Sequence, residues 1–161
     1  SEDTRFNWSD CIPQTSYYGY YREGLGRQRK AELFLDQAQG QARAIRTSKQ
    51  QKHFPITATT TDKLSPTLAL QCMLSRGDMA LELDVADERG MDHVQYRHLG
   101  EETLKTPAGK FRAVKLEVVR ESDSDRQTFL WFAPDHNFAL LQMIQREDGK
   151  QHTMVLRDFS E

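Results

Sequence analysis

Thr106-Pro107-Ala108-Gly109-Lys110-Phe111 and, one strand's length further on, Leu130-Trp131-Phe132-Ala133-Pro134-Asp135 decide the reading of the fold. In the first stretch Pro107 presets φ for the leading corner of a tight β-turn, and Gly109 supplies the backbone freedom to leave it. In the second, a run of apolar residues stops at Pro134, which has no N–H with which to continue a ladder. Together they bracket a hairpin and predict an all-β chain. Neither describes a chemical site.

Outward from these phrases, most of the chain reads as strands joined by turns. Residues 17–21 put tyrosines on both faces of a strand, which suits a pleated surface. Glu23-Gly24-Leu25-Gly26 turns the chain into a second strand, where Ala31, Leu33 and Leu35 alternate with Lys30, Glu32 and Phe34. A turn at 36–40 and a weaker strand at 42–47 follow, and residues 48–61 read as a polar connection. Further on, Met79, Leu81, Leu83 and Val85 alternate cleanly with Glu82 and Asp84. Asp87-Glu88-Arg89-Gly90 is a hairpin loop. Val94, Tyr96 and His98 share a face, a separate strand is expected at 101–105, and Val114, Leu116 and Val118 line another inner face. Residues 122–125 are a polar loop. A last hairpin joins 138–145 to 152–159 around Asp148-Gly149, a type I′ signal. Nine or ten strands are expected.

One helix interrupts this pattern. Ser65 is a good N-cap, Pro66 sits where its missing N–H costs nothing, and Gly77 supplies the stop. Leu64, Leu68, Cys72 and Met73 recur at helical spacing, with Leu70 and Leu74 widening the apolar surface. The expectation is a helix over about residues 65–76, buried on most sides against a concave sheet. The fold class is therefore mainly β: a curved antiparallel meander or incomplete β-barrel with one buried α-helix, in a single domain over residues 1–161.

Composition sets limits. Only 37% of the residues are hydrophobic and the mean hydropathy is -0.74, which favours a thin-cored sheet over a thick globule. Charged residues reach 29% yet nearly cancel to a net charge of -2, so bulk capture of nucleic acid or of an anionic membrane is not expected, though the balance leaves room for a local basic patch. No apolar run approaches the roughly 20 residues that span a bilayer. Two cysteines, Cys11 and Cys72, lie outside any metal or redox spacing; they form either one long-range disulfide in an exported protein or two buried thiols. The chain begins at Ser1 without a methionine or a signal peptide, as a processed or trimmed protein would.

The chemistry-bearing residues do not cluster. His93 and His98 are five apart on one strand and point to opposite faces, while His53, His136 and His152 stand alone, so no metal site is expected. No G-x-S-x-G elbow occurs, and neither cysteine has a histidine nearby. Asp135 after Pro134 reads as a turn initiator, and Glu101-Glu102 and the acids at 123 and 125 read as solvated charges. Gly24-x-Gly26 lacks the third glycine and the helix of a dinucleotide loop. Tyr17, Tyr18, Tyr20 and Tyr21 beside Arg22, Arg27, Arg29 and Lys30 could stack bases, but the acidic overall balance favours a tyrosine-rich strand with a charged outer face. No catalytic residue, metal or cofactor is expected, and the protein is not read as an enzyme.

What remains is an apolar feature. Phe129 and Trp131 alternate with Leu130 and Phe132, so that strand is apolar on both faces; one belongs to the core, and the other needs the helix, a partner or a ligand. A pocket between helix and sheet would be lined by Leu68, Cys72, Phe129 and Trp131.

These phrases also carry a family likeness. Asp62-Lys63-Leu64-Ser65 and the helix after it, residues 100–111 and Leu130-Trp131-Phe132-Ala133-Pro134-Asp135 resemble the bacterial family known as domain of unknown function 3108. The resemblance runs from about Gly24 to Phe159. It implies an exported, periplasmic or envelope-associated β protein of Gram-negative type with no established activity. Members are usually longer at the N-terminus, with a signal peptide and a further strand or two, so an N-terminal segment is expected to be missing here. A curved meander with a helix in its concavity is also similar in architecture to lipocalin-like lipoprotein carriers of the periplasm. The expected function is a periplasmic binding or scaffold module holding an apolar or lipid-like ligand between helix and sheet. The alternative is an envelope protein–protein module that adds a partner strand at an exposed sheet edge.

Overall fold

A computed structural model of the chain describes residues 1–24, 26–119 and 125–160. Among these it has twelve strands and one α-helix, a mainly β fold. The strands form two sheets. One is the meander β1 (Glu2–Ser9), β2 (Ile12–Arg22), β3 (Arg29–Asp36), β4 (Gln41–Arg46) and β5 (Lys52–Pro55), in that spatial order. The other has the order β12-β11-β10-β9-β8-β7-β6, made of β6 (Thr60–Asp62), β7 (Leu81–Asp87), β8 (Gly90–Thr106), β9 (Gly109–Val119), β10 (Gln127–Ala133), β11 (Ala139–Glu147) and β12 (Lys150–Val155). The β6–β7 pairing is parallel. Helix α1 (Pro66–Ser75) lies between β6 and β7 in the chain. The chain divides into two compact units, residues 1–69 with 83–93, and residues 70–82 with the stretch from Val94 onward.

The first unit follows from alternation. Ala31, Leu33 and Leu35 on β3, with Ala42 and Ala44 on β4, turn inward and pack with Tyr18, Phe54, Ile56 and Ala86. Two regions of this unit differ from expectation. Strand β1 and the first half of β2 precede the tyrosine run, joined by a tight turn in which Asp10 has φ 56°. Strands β5 and β6 occupy what read as a polar connection. Both are exposed at most positions or only three or four residues long, so they show little apolar alternation.

Strand β6 is buried at all three positions and carries a fully buried carboxylate, Asp62. Asp62 accepts hydrogen bonds from the hydroxyls of Thr4 and Thr15, the latter at 2.7 Å, and from the Ser65 hydroxyl. It also accepts from the backbone N–H groups of Leu64 and Ser65, at 2.7 and 3.1 Å. A buried carboxylate is tolerable only when its lone pairs are filled in this way. The Ser65 hydroxyl is thereby turned towards Asp62, and the carboxylate fixes the turn from Asp62 to Ser65 that leads into the helix.

The helix spans the predicted residues to within one position and ends at Gly77, with φ 83°, where the Gly77 N–H reaches Leu74 O and the Asp78 N–H reaches Met73 O. Its burial is uneven along the expected apolar surface. Ala69, Leu70, Met73 and Leu74 are buried, whereas Leu68 is 38% exposed. Met79 lies outside the β7 alternation and is 78% exposed.

In the second unit the Pro107 hairpin forms as read, with Thr106 opposite Gly109, and β10 pairs with both β9 and β11. The two strands expected at 94–98 and 101–105 are one 17-residue strand, β8. Gly100, at φ 101°, follows a register shift between His98 and Gly100, so a bulge re-aims the ladder without ending it. Asp148 and Gly149 both have positive φ, as a type I′ turn needs. The polar loop expected at 122–125 and the tip of the Gly24 turn lie partly outside the described residues.

Candidate functional site

Strand β10 shows what the sequence left open. Leu130 and Phe132 face one way, opposite Leu116 and Val114 of β9. On the other face Trp131, 5% exposed, forms a second small core with Ala113, Ala133 and Leu141, against which Leu104, Phe111, Phe129, Ile144 and Leu156 pack. No helix residue belongs to this cluster. The Trp131 indole N–H donates to Glu102 Oε1 at 2.5 Å, and the Lys115 ammonium lies 4.7 Å from the Phe129 ring and 5.0 Å from that of Trp131. His136 stands edge-on between Phe111 and Phe159, at 5.2 and 4.8 Å. The face therefore finds its cover in neighbouring strands, a lysine and the segment from Leu156 to Phe159.

Of the four residues predicted to share a pocket, Phe129 and Trp131 come together. They sit in the helix-free cluster, and Leu68 is exposed. Both cysteines, including Cys72 on α1, are disulfide-bonded and neither is free.

A different set of residues lines a groove of about 250 Å³ in the second unit. Leu74 from the last helical turn, Val114 from β9 and Phe138 give it an apolar floor, Met79 forms a lip, and His98, Glu101 and Arg112 stand along the rim. The short 3-10 turn Pro134–His136 brings the chain to the groove, and Asn137 and Phe138 follow with φ of 53° and 55°. Asparagine tolerates that left-handed conformation; a bulky aromatic rarely adopts it and is strained there. Two contacts hold it: the Phe138 N–H bonds to Ala133 O at 2.8 Å, and Gln71 on the helix donates to Asn137 O at 2.8 Å.

The rim is an ion-pair triad. Arg112 reaches Asp135 at 3.0 Å and Glu101 at 3.2 Å. The guanidinium holds the Asp135 carboxyl below the usual aspartate range, and Asp135 in turn holds Arg112 more firmly protonated. These groups are exposed, so the triad orients the rim more than it stabilises the fold. Sequence reading took Asp135 for a turn residue and Glu101 for a solvated charge. The β8–β9 register, which sets Thr103 opposite Arg112 and Glu101 opposite Val114, brings Glu101 to Arg112, and the turn after β10 brings Asp135.

In the first unit Asp84 accepts a hydrogen bond from the Thr57 hydroxyl at 2.6 Å and lies 2.8 Å from His93 Nδ1. The carboxylate bonds the hydroxyl through one oxygen and the imidazole through the other, an order that differs from the nucleophile–base–carboxylate order of a catalytic triad. Among the described residues no three metal-ligating acidic, cysteine or histidine side chains converge. No helix among them is long and apolar enough to cross a membrane.

Two sheets, antiparallel but for the β6–β7 pair, with one short helix define a β-barrel-like class of protein. The crystal structure of a β-barrel-like protein of domain of unknown function DUF1849 from Brucella abortus is similar to this chain, with a TM-score of 0.59 at 7% identity, over 90% of this chain and 68% of that one. A likeness at that identity concerns the fold alone. No curated protein matches. The family model described as protein of unknown function DUF3108 matches residues 3–156, and the chain belongs to that family.

Proposed function

We propose that the protein is an exported, periplasmic binding module of the cell envelope, and that the groove beside Leu74 takes hold of an apolar or lipid-like group. One observation carries this reading: a 78% exposed Met79 forms the lip of an apolar groove whose floor includes Phe138, held in a strained left-handed backbone. Methionine is flexible and polarisable, which suits a lip that closes over ligands of varied shape. The volume, about 250 Å³, lies just below the roughly 300–1,000 Å³ of sites for whole drug-sized molecules. It fits the end of an acyl chain or one apolar side chain of a partner. The ligand thus lies between helix and sheet as the sequence suggested, but against Leu74, Met79, Val114 and Phe138. Disulfide-bonded cysteines support an oxidising compartment, as the envelope location implied by the resemblance would require.

The test is native purification followed by solvent extraction and mass spectrometry, with titration of an apolar fluorescent probe into the wild type and Met79→Glu. A co-purifying amphiphile and weaker probe binding by the variant are expected. If no amphiphile is found and both proteins leave the probe unbound, the reading is wrong.

A second reading rests on strand β1, the outermost strand of its sheet, where Phe6 and Trp8 stack edge-on at 5.4 Å and Trp8 is 55% exposed. An aromatic pair on an edge suits addition of a partner strand. Envelope crosslinking from position 7 would recover a partner if this edge is used; recovering none would count against it.

A further inference from the structure

Strand β1 carries opposite charges two residues apart, Asp3 and Arg5, on either side of Thr4. In a pleated strand those two side chains share one face and Thr4 takes the other. The contacts agree: the Arg5 guanidinium lies 5.3 Å from the Tyr17 ring on the outer face, and the Thr4 hydroxyl turns inward to Asp62. Among the described residues neither Asp3 nor Arg5 has an ion-pair partner. A single cation–ring contact at an exposed site is a weak hold on Arg5.

The backbone of β1 also has an open side, because β1 is the outermost strand of its sheet. Ser1 and Tyr21 exchange both of their backbone bonds, at 2.6 and 2.8 Å. Bonded and non-bonded pairs alternate along an antiparallel ladder, so Asp3 and Arg5 likewise turn their N–H and C=O groups to β2. The bulge between Arg5 and Phe6 leaves Ser16 of β2 without a partner and does not interrupt the alternation of β1. Glu2, Thr4 and Phe6 therefore turn their backbone groups away from the sheet, as a template for a further strand.

We infer that this edge pairs with the same edge of a second copy of the chain, antiparallel, with a two-fold axis through Thr4. The inference rests on the second reading above, addition of a strand at β1, and names its partner. A two-fold contact must be self-complementary. With Thr4 opposite the second copy's Thr4, the outward backbone groups of Glu2, Thr4 and Phe6 meet as hydrogen-bonded pairs. Asp3 then stands opposite the second copy's Arg5, and Arg5 opposite the second copy's Asp3. These are the non-hydrogen-bonded positions, where Cα atoms approach to about 4.5 Å and side chains lie closest. The next register with matching backbone groups, centred on Phe6, pairs no charges and sets Glu2 against the second copy's Asp10. An unrelated strand would have to bring the same spacing of arginine and aspartate; a second copy brings it by symmetry.

A contact of this size makes a weak dimer, read by sedimentation velocity over a concentration series. The wild type is expected to move from monomer to dimer as concentration rises, with less dimer at high salt. Asp3→Arg and Arg5→Asp should each weaken dimerisation roughly tenfold, since the symmetry loses every pair twice and leaves like charges opposed. The double variant D3R/R5D exchanges the charges and should restore the wild-type dimer, which loss of the Tyr17 contact does not explain. A monomer at every concentration, or a double variant as weak as the single ones, would overturn the inference. Crosslinking from position 7 separates this inference from the reading beneath it. A different envelope protein recovered there keeps strand addition and removes the second copy, whereas recovering nothing removes both. Should a charge reversal fail to fold, Asp3→Asn gives a smaller loss of dimer in the same direction.

Discussion

Each unit turns aromatic side chains outward and covers them with cations, but by different means. In the first unit Arg5, Tyr17, Phe34, Arg43 and His53 form one cross-strand row over β1 to β5. Arg5 lies 5.3 Å from the Tyr17 ring, Tyr17 and Phe34 meet edge-on at 5.3 Å, and Arg43 lies 4.6 Å from the Phe34 ring. The Tyr17 ring leans across Gly19 to donate to Glu32 at 2.9 Å. In the second unit Phe129 and Trp131 sit on one strand, and an apolar layer from four other segments closes over them before Lys115 does. The first arrangement is a surface stack one side chain thick. The second is a small core that happens to face outward. The lesson is that aromatics on both faces of a strand need not announce a ligand when neighbouring strands supply the cover.

The comparison breaks most sharply at Trp131. Trp131→Ala should cost about 3–5 kcal/mol in denaturant unfolding, because it empties a closed cluster and leaves Glu102 without its donor. Tyr17→Ala, in the open row, should cost far less. Equal costs would mean that the two faces are built alike. Next comes Gly19→Ala. A Cβ there would stand 2.5 Å from the Tyr17 hydroxyl oxygen, so the ring must lift and Glu32 loses its donor. A loss of roughly 1–3 kcal/mol is expected, and an undisturbed tyrosine NMR signal would refute the packing. Smaller still are the cations: Lys115→Met and Arg43→Met should each cost about 0.5–1 kcal/mol.

Acid sharpens the contrast with the smallest effect. Lys30 first, then Tyr17, holds the Glu32 carboxyl below its ordinary range. Its contribution is present above the ordinary glutamate pKa of about 4.3 and is lost as the pH falls through the lower folded value. Glu32→Gln should therefore flatten the acid limb of the stability–pH curve, read by denaturation at a series of pH values. A limb of unchanged slope would show that Glu32 is not coupled to folding.

Much of this was legible beforehand, and the reasons are local. Ser65-Pro66 and Gly77 marked the helix, Asp148-Gly149 the last hairpin, and Pro107 and Pro134 the strand between them, since each acts through its own backbone. Burial needed neighbours. Leu68 and Leu70 look alike in sequence, yet one is exposed and the other fully buried. Phe129 and Trp131 were rightly singled out as needing cover, but Leu104, Phe111, Ile144 and Leu156 come from segments that only the register assembles. Strand β1 escaped notice because an edge strand exposed on most of its length has no apolar rhythm. The groove was illegible for a similar reason: its strained residue, Phe138, reads as an ordinary strand start.

The Asp62 carboxylate has a kinetic consequence. Its partners Thr4 and Thr15 lie 58 and 47 residues away in the chain, and it also binds the N–H groups of Leu64 and Ser65 in the turn ahead of the helix. The turn into the helix therefore cannot be completed until the first hairpin has come back to meet it, across a long and entropically costly loop. Helix formation and closure of that hairpin should appear in one slow refolding phase. Far-ultraviolet ellipticity at the helix band and quenching of Trp8 should then report the same rate, and a helix signal that ran ahead of the tryptophan would separate them.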